Sequence, residues 1–326
     1  MIAQCLISFG SNLGDRSDLI ASAARRVADS SMVQPSCPLK TSRLFETPPI
    51  GGPGGQEPFL NAIGLFDTQA SARDILVLLQ EIEQDLGRQR RQRWDARSID
   101  LDVVLHGELV GGGSGLIVPH PRYTARQFVL QPACDVAAGL RDPRFGWTLQ
   151  RLTEHLSAGV PSLALVGGDW NIRQQICDQL SEEYGIRTFA AEPGTQPIGV
   201  VANAPVSPRG AVVESDAESL ASMRESGEPI VATDQPWVAS YLPSLPELDS
   251  GETDLATVPR LIARLQRTTA QTRWPAPHQM WPAGWGWPEY RLEIDDIQWA
   301  VREVVSALDS MRCPVTPITD DGRWWQ

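Results

Sequence analysis

The chain has 326 residues, of which 42% are hydrophobic and 21% are charged. This length allows two domains, and this balance is typical of a globular protein. The formal net charge of −12 argues against a nucleic-acid partner, and no apolar run is long enough to span a bilayer. The first residues resemble a strand rather than a secretory signal, so we expect a cytoplasmic protein. The cysteines are scattered and form no CxxC pair, which favours free thiols over a zinc site.

The first half of the chain alternates strand-like and helix-like patterns. In chain order these patterns predict a strand at 2–7, a helix at 19–27, extended segments at 41–47 and 58–66, a helix at 72–86, strands at 98–105 and 116–118, and a helix at 125–134. A linker rich in proline and glycine separates the two extended segments, and it cannot be regular structure. This mixed order of elements favours an α+β fold.

A second pattern begins after residue 156. A strand at 163–166, a helix at 172–184 and a strand at 186–189 predict the start of a parallel β-α-β unit. Further strands are predicted at 198–201, 211–213 and 230–232, and helices near 216–225, 256–268 and 295–310. A segment rich in proline and tryptophan at 274–287 and an extended arm from Cys313 complete the chain. We therefore predict two domains, 1–159 and 160–326, of which the second is an α/β domain with a parallel sheet.

Two acidic residues, Asp100 and Asp102, lie two positions apart on the predicted strand at 98–105. This spacing places both carboxylates on one face of the strand, where neighbouring negative charges favour a bound cation. Carboxylate oxygens are hard ligands, which suits Mg²⁺ shared with substrate phosphates. An ordinary solvated strand face is the alternative, because a DxD pattern is short.

An arginine cluster lies directly before this strand, in a chain whose net charge is negative. Guanidinium groups bind phosphate oxygens through paired hydrogen bonds and stabilise the charge that develops in phosphoryl transfer. The cluster therefore predicts a nucleotide-phosphate site beside the carboxylates, with a solvated loop as the alternative. Its members are Arg88, Arg90, Arg91, Arg93 and Arg97.

The segment 93–102, RWDARSIDLD, closely resembles the signature of the 6-hydroxymethyl-7,8-dihydropterin pyrophosphokinases of folate biosynthesis. Other segments resemble the same family in the same order: SFGSNLGD at 8–15, ETPPI at 46–50, PFLNA at 58–62, VPHPR at 118–122 and RQFVL at 126–130. Separated matches in the right order, spread over about 155 residues, are far more specific than one motif.

The resemblance implies a Mg²⁺-dependent enzyme that transfers pyrophosphate from ATP to 6-hydroxymethyl-7,8-dihydropterin and releases AMP. It implies that Asp100 and Asp102 hold two Mg²⁺ ions and that Arg88 and Arg97 act in catalysis. No general base is predicted. The nucleotide contacts that it implies are Arg88, Arg90, Arg97, Val103, His120 and Arg126.

The resemblance also implies a pterin site in which Phe59 and Phe128 sandwich the flat ring. Without the resemblance, both phenylalanines would be assigned to the core. The hydrogen-bonding edge of the ring would be read by Asn61 and the backbone near Thr47 and Ile50. Trp94 would close over the site.

The family fold is a ferredoxin-like α+β sandwich whose loops at 10–15, 48–57 and 87–97 would close on the substrates. One departure concerns these loops. Asp95 and Ala96 stand where the family usually has Gly-Pro, which leaves the effect on loop closure open.

The second half carries a weaker signal. Gly167 and Gly168 lie between a predicted strand and helix, as in phosphate-binding folds, but the P-loop ending Gly-Lys-Ser/Thr is missing. A degenerate nucleotide-kinase-like domain fits, and a structural or partner-binding role is favoured over a working nucleotide site. For the whole chain, the alternative to an enzyme is a non-catalytic nucleotide-binding or scaffolding protein on the same fold.

Overall fold

The computed structural model describes residues 2–52, 55–88, 97–113, 115–192, 227–246, 255–266, 286–294 and 296–326. The chain forms two compact units. Of the described residues, 2–154 and 309–326 belong to the first unit, and 155–266 and 286–308 belong to the second. No helix in these described ranges is long and apolar enough to cross a membrane.

The elements are as follows. The strands are β1 (Ala3–Ser11), β2 (Lys40–Thr41), β3 (Phe45–Thr47), β4 (Phe59–Thr68), β5 (Asp100–His106), β6 (Gly111–Gly113), β7 (Leu116–Val118), β8 (Ser162–Val166), β9 (Arg187–Phe189), β10 (Trp237–Ala239), β11 (Leu261–Gln266), β12 (Glu289–Glu293) and β13 (Thr316–Pro317). The helices are α1 (Arg16–Ala28), α2 (Ala72–Asp85), α3 (Gln127–Ala137), α4 (Leu149–Ser157), α5 (Trp170–Tyr184) and α6 (Ile297–Met311).

The first unit is built on an antiparallel sheet. Within the described residues this sheet has six strands in the order β13-β3-β4-β1-β5, with β2 also paired to β4. The succession β1, α1, β3, β4, α2, β5 is the β-α-β-β-α-β order of ferredoxin-like folds. The α+β arrangement expected from the sequence is therefore confirmed for this unit.

Helices α1 and α2 form because apolar residues recur at helical spacing and because both N-termini are capped. Asp15 accepts a hydrogen bond from the Asp18 amide, and Ser71 and Asp74 form a reciprocal capping box. Apolar residues of both helices share one buried core with one face of β1, β4 and β5. Helix α3 packs against β4.

The second unit contains a parallel sheet. In the part of the chain that the structure describes, its strands run in the order β12-β11-β8-β10-β9, and every pair is parallel. Helix α5 begins at the Asp169 cap after β8 and ends at Gly185, which adopts the left-handed conformation. The prediction of a second domain with a parallel sheet is therefore confirmed.

Two elements predicted in the second half are wrong. The strand expected at 230–232 is absent from those described residues, and a strand lies at Trp237–Ala239 instead. The helix expected at 256–268 is replaced by a 3₁₀ turn at Leu255–Thr257 and by strand β11. Strand β11 lies between β8 and β12, and a strand covered on both faces has no alternating pattern to separate it from a buried helix. The segments predicted at 198–201, 211–213 and 216–225, and nearly all of 274–287, lie outside the described residues.

The last residues of the chain belong to a different unit from the one that the sequence-based division at residue 159 gives them. That division assigned everything from residue 160 onward to the second domain, but residues 309–326 belong to the first unit. The physical reason is β13, which follows α6 and extends the first unit's sheet by pairing with β3. The expected extended arm is present.

Candidate active site

Asp100 and Asp102 project from β5 on the side of the sheet away from the core. In the ladder between β1 and β5, Gly10 lies opposite Asp100 and Ser8 opposite Asp102. Their neighbours Leu101 and Val103 point into the core instead. A side chain at Gly10 would approach Asn61 on one side and Asp100 on the other, so this glycine leaves open space between the two residues. The predicted shared face of the two carboxylates is confirmed.

Two arginines of the predicted cluster bind Asp100. The guanidinium of Arg88 lies 2.7 Å from one carboxylate oxygen of Asp100, and Arg97 contacts the other oxygen. Burial opposes the charge on Arg88, but Asp100, Glu83 and Asp102 together raise its pKa. The structure thus brings Arg88, Arg97 and Asp100 together. Arg90, Arg91, Arg93 and Trp94 lie outside the described residues.

Glu83 belongs to the same cluster and was missed by the sequence reasoning. Its carboxylate, with a side chain only 3% exposed, contacts Arg88 and accepts a hydrogen bond of 2.8 Å from the Leu101 amide. Burial raises its pKa to about 7, although Arg88 and the Leu101 amide act in the opposite direction. The available signal was its position on the apolar face of α2, four residues after Leu79.

His120 lies beside Asp102, with 3.9 Å between Nε2 and a carboxylate oxygen. Burial, followed by the charges of Arg126 and Arg122, lowers the pKa of His120 well below its usual value, so the ring is neutral. Its Nδ1 accepts a hydrogen bond of 3.2 Å from the Arg122 amide, which assigns the ring proton to Nε2. His120 can therefore donate a hydrogen bond toward the space above Asp102.

Asn12 connects three loops around the site, and the sequence reasoning gave it no role. Its side-chain oxygen accepts a hydrogen bond of 2.7 Å from the Arg97 amide. Its amide nitrogen donates to the Gln56 side chain at 3.0 Å and to the Glu57 carbonyl at 3.4 Å. Asn12 is 1% exposed, so these contacts replace water. The three connected loops are the ones that the family resemblance expects to close on substrates.

The pterin residues expected from the sequence gather on β3, β4 and α3. Asn61 donates a hydrogen bond of 2.8 Å to the hydroxyl of Thr47, and both residues are buried. Phe59 and Phe128 are partly exposed, unlike the core residues Phe9 and Phe66. This difference favours a binding role for the two aromatic rings over a role in the core. Ile50 is also partly buried, just after the Pro48-Pro49 pair.

The nucleotide residues Val103 and Arg126 have different surroundings. Arg126 lies at the start of α3 with its guanidinium 5.5 Å from the centre of the Phe128 ring. Val103 belongs to the core cluster, with its side chain on the face of β5 opposite to Asp100 and Asp102. Its side chain therefore does not line the site, and only its backbone could contact adenine.

Known proteins are similar in sequence to the part of the chain that carries this site. A family model described as 7,8-dihydro-6-hydroxymethylpterin-pyrophosphokinase (HPPK) matches residues 6–138. A 2-amino-4-hydroxy-6-hydroxymethyldihydropteridine pyrophosphokinase of Pseudomonas aeruginosa is 36% identical over 146 residues, which cover 44% of this chain and 86% of the relative. The enzyme of the same name from Bacillus subtilis is 37% identical over 130 residues, covering 40% of this chain and 75% of the relative.

A longer relative is similar over the same length of chain. The folic acid synthesis protein fol1 of Pneumocystis carinii is 35% identical over 150 residues, which are 46% of this chain but 20% of that protein. The match to the family model includes Asp100, Asp102, Arg88, His120 and Asn61. The chain belongs to the 7,8-dihydro-6-hydroxymethylpterin-pyrophosphokinase family, and its first unit transfers pyrophosphate from ATP to 6-hydroxymethyl-7,8-dihydropterin in folate biosynthesis.

Proposed function

We propose that Asp100 and Asp102 hold two Mg²⁺ ions against the phosphates of ATP. Support comes from their common face and from the side chain of Asp102, which is 38% exposed. No third His, Cys, Asp or Glu joins them in a ligand cluster among the described residues. Such an open pair of carboxylates fits Mg²⁺, which takes its remaining ligands from phosphates and water. When bound, the metal neutralises phosphate charge and polarises the phosphoryl oxygens.

The arginines and His120 bind and orient the nucleotide in this proposal. Arg88 and Arg97, which contact Asp100 in this structure, would bind the phosphate oxygens of ATP. The neutral ring of His120 donates a hydrogen bond from its Nε2–H to a phosphate oxygen. Arg126 adds positive charge at the start of α3. These groups hold the triphosphate so that its β-phosphorus faces the acceptor, which decides the position of attack. Arg90 would add a further contact.

The pterin site uses the partly exposed aromatic rings. Phe59 and Phe128 stack on the two faces of the pterin, while Asn61 and the backbone near Thr47 and Ile50 bind its hydrogen-bonding edge. Trp94 closes over the bound substrates. Asn61 and Asp100 are the cross-strand neighbours of Gly10 on its two sides, so the pterin and the phosphates meet above this glycine.

The reaction then follows from position. The hydroxymethyl oxygen of the pterin attacks the β-phosphorus, a new P–O bond forms, and the bond from this phosphorus to the oxygen of the α-phosphate breaks. AMP leaves with the electron pair, and the hydroxyl proton passes to solvent. Arg88 and Arg97 stabilise the charge on the oxygens during transfer, which makes them the catalytic residues in this proposal.

The observation that carries the proposal is the contact of both Arg88 and Arg97 with Asp100. The full chain, incubated with ATP, Mg²⁺ and 6-hydroxymethyl-7,8-dihydropterin, should form AMP and pterin diphosphate in equal amounts. Asp102→Asn, which keeps the size but removes the charge, should lower kcat by at least about 10³-fold. Formation of ADP, or an Asp102→Asn enzyme with normal turnover at limiting Mg²⁺, would contradict the assignment.

We also propose that the second unit is a degenerate nucleotide-kinase-like domain. Support comes from the parallel order β12-β11-β8-β10-β9 and from Gly167 and Gly168, which adopt positive φ angles between β8 and α5. A structural or partner-binding role is favoured over nucleotide binding, because the loop lacks the lysine that contacts phosphates in P-loops. Titration of ATP into an Asp100→Asn, Asp102→Asn chain tests this assignment, since a second nucleotide site would still bind. A cytoplasmic location remains a prediction that imaging of the tagged chain would test.

A further inference from the structure

The C-terminal arm, residues 313–326, contacts the strand pair that leads to the pterin site. Its strand β13 pairs with β3, with Thr316 opposite Glu46 and Pro317 opposite Phe45. Strand β3 is only three residues long, and its other side pairs with β4. A strand of this length is marginal when one of its two edges is unpaired.

The arm also binds backbone groups in the break between β2 and β3. The Ile318 amide donates to the Leu44 carbonyl at 2.8 Å, and the Leu44 amide donates to the Thr319 hydroxyl at 2.9 Å. The indole N–H of Trp324 donates to the Ser42 carbonyl at 2.8 Å. Ser42 and Leu44 are buried, so loss of the arm would leave these polar groups without their present partners.

The end of the arm fits closely against the first unit. A side chain at Gly322 would overlap the backbone carbonyl of Thr41, which has no freedom to move aside. The ring of Trp324 meets the buried ring of Phe9 edge to face, with 6.5 Å between centroids. The indole N–H of Trp325 donates to the Thr41 hydroxyl at 2.6 Å. The arm is therefore packed at several points along 41–46.

Strand β3 connects these contacts to the proposed pterin site. Its last residue, Thr47, accepts the hydrogen bond of Asn61. The preceding Glu46 binds Arg16 at 3.2 Å, and Arg16 donates to the Pro58 carbonyl at 2.6 Å, next to Phe59. A shift of β3 would therefore move Thr47 and disturb the segment that carries Phe59.

We propose that the C-terminal arm is a positioning element of the pterin site: by holding β3 in place against β4, it fixes Thr47 and Asn61 for pterin binding. This inference rests on the proposed pterin role of those two residues. The hydrogen bonds described above join the arm to residues 41–46, on the side of Thr47 and Asn61, so we expect it to act on pterin binding and to leave ATP binding unchanged.

The test uses the full chain with Gly322→Ala, in which the new methyl group forces the arm away from Thr41. The control is Asp320→Ala, at an exposed position of the same arm. We expect Gly322→Ala to raise KM for the pterin about tenfold while the Kd for ATP stays within about twofold of the original, and Asp320→Ala to change neither. Trp324→Phe repeats the test with a ring retained, because it removes the N–H that binds Ser42, and it should raise the same KM by about threefold.

The same measurements show whether the positioning role of the arm or the assignment of the pterin site is wrong. An unchanged pterin KM in both Gly322→Ala and Trp324→Phe overturns the positioning role, as does an equal loss of pterin and ATP binding. Asn61→Ala tests the proposed pterin site itself. If Asn61→Ala weakens pterin binding and the arm variants do not, the arm inference alone is wrong; if Asn61→Ala has no effect, the assignment of the pterin site fails first.

Discussion

Asn12 contacts residues of two other loops around the site. It binds the Arg97 amide with its oxygen and the segment at Gln56 and Glu57 with its nitrogen. The arginines and the aspartates can act together only if these loops keep them at a fixed distance from each other. Small displacements of reacting groups lower the rate strongly.

We expect Asn12→Ala to lower kcat/KM by about 10²-fold for both substrates, because a displacement of about 1 Å in a catalytic group has an effect of this size. Steady-state kinetics at varied ATP and pterin concentrations measure it. Leu13→Ala is the matched control, because Leu13 is adjacent and 53% exposed. An Asn12→Ala enzyme with normal kinetics would show that the loops hold their positions without this residue.

Phe128 differs from Asn12 in that its expected effect is confined to one substrate. We expect Phe128→Ala to raise the Kd for pterin by about tenfold, since an aromatic contact contributes about 0.5–1.5 kcal/mol beyond burial. The Kd for ATP should stay the same, although Arg126 lies against the ring. Isothermal titration of each ligand gives both values. Equal weakening of the two would identify Phe128 as a support for Arg126 and not as a pterin contact.

At the scale of elements, Glu83 joins α2 to β5 at the position between the two aspartates. The Leu101 amide that it binds lies between Asp100 and Asp102, and Arg88 follows shortly after α2 ends. The helix therefore holds the arginine and the carboxylates in one arrangement through a single side chain.

We expect Glu83→Gln to raise KM for ATP by about tenfold with little effect on the pterin. Above about pH 7, the pKa of Glu83, the substitution removes the negative charge that holds Arg88, and a hydrogen bond to a charged group is worth about 1.5–3 kcal/mol. The amide oxygen of glutamine can still accept from Leu101. Glu81→Gln, at an exposed position of the same helix, is the control. A change limited to thermal stability would reduce Glu83 to a structural role.

The elements also show what the sequence could and could not establish. Helices α1 and α2 have apolar spacing and side-chain caps, so both could be located before the structure was known. Strand β13 could not, because two residues without an apolar pattern give no signal and their partner β3 is far away in the sequence. Distance along the sequence also explains why the role of Asn12 could not be predicted, because its partners lie more than forty residues away. The family motif identified Asp100 and Asp102, but only tertiary contacts identify the residues that support them.

At the scale of the whole molecule, the first unit is discontinuous in the sequence. A chain cut at residue 159 contains every matched motif but lacks β13, and with it the contacts to Ser42 and Leu44. Because every matched motif lies before residue 159, the sequence leads us to expect an active fragment, but the structure shows that such a fragment lacks a strand of its own sheet.

We expect the fragment 1–159 to bind ATP normally and to have a pterin KM raised about tenfold. A chain in which a long Gly/Ser linker replaces residues 160–308 should restore the KM of the intact protein, because it supplies the arm without the second unit. Kinetics of the three proteins compare these outcomes directly. If the linker protein folds but its pterin KM stays as high as that of the fragment, the second unit contributes to the pterin KM in its own right.

The discontinuity has a consequence for how the protein is made. A ribosome synthesises residues 155–308 before it reaches β13, so a nascent chain has every catalytic side chain long before its sheet is complete. During that interval the edge of β3 is exposed and available to chaperones or to other nascent chains. A messenger RNA that is truncated within the region coding for the second unit would yield a protein that retains the nucleotide residues but lacks the arm that holds the pterin site. Because β13 follows the second unit in the sequence, the edge of β3 gains this partner only after residues 160–308 have been synthesised.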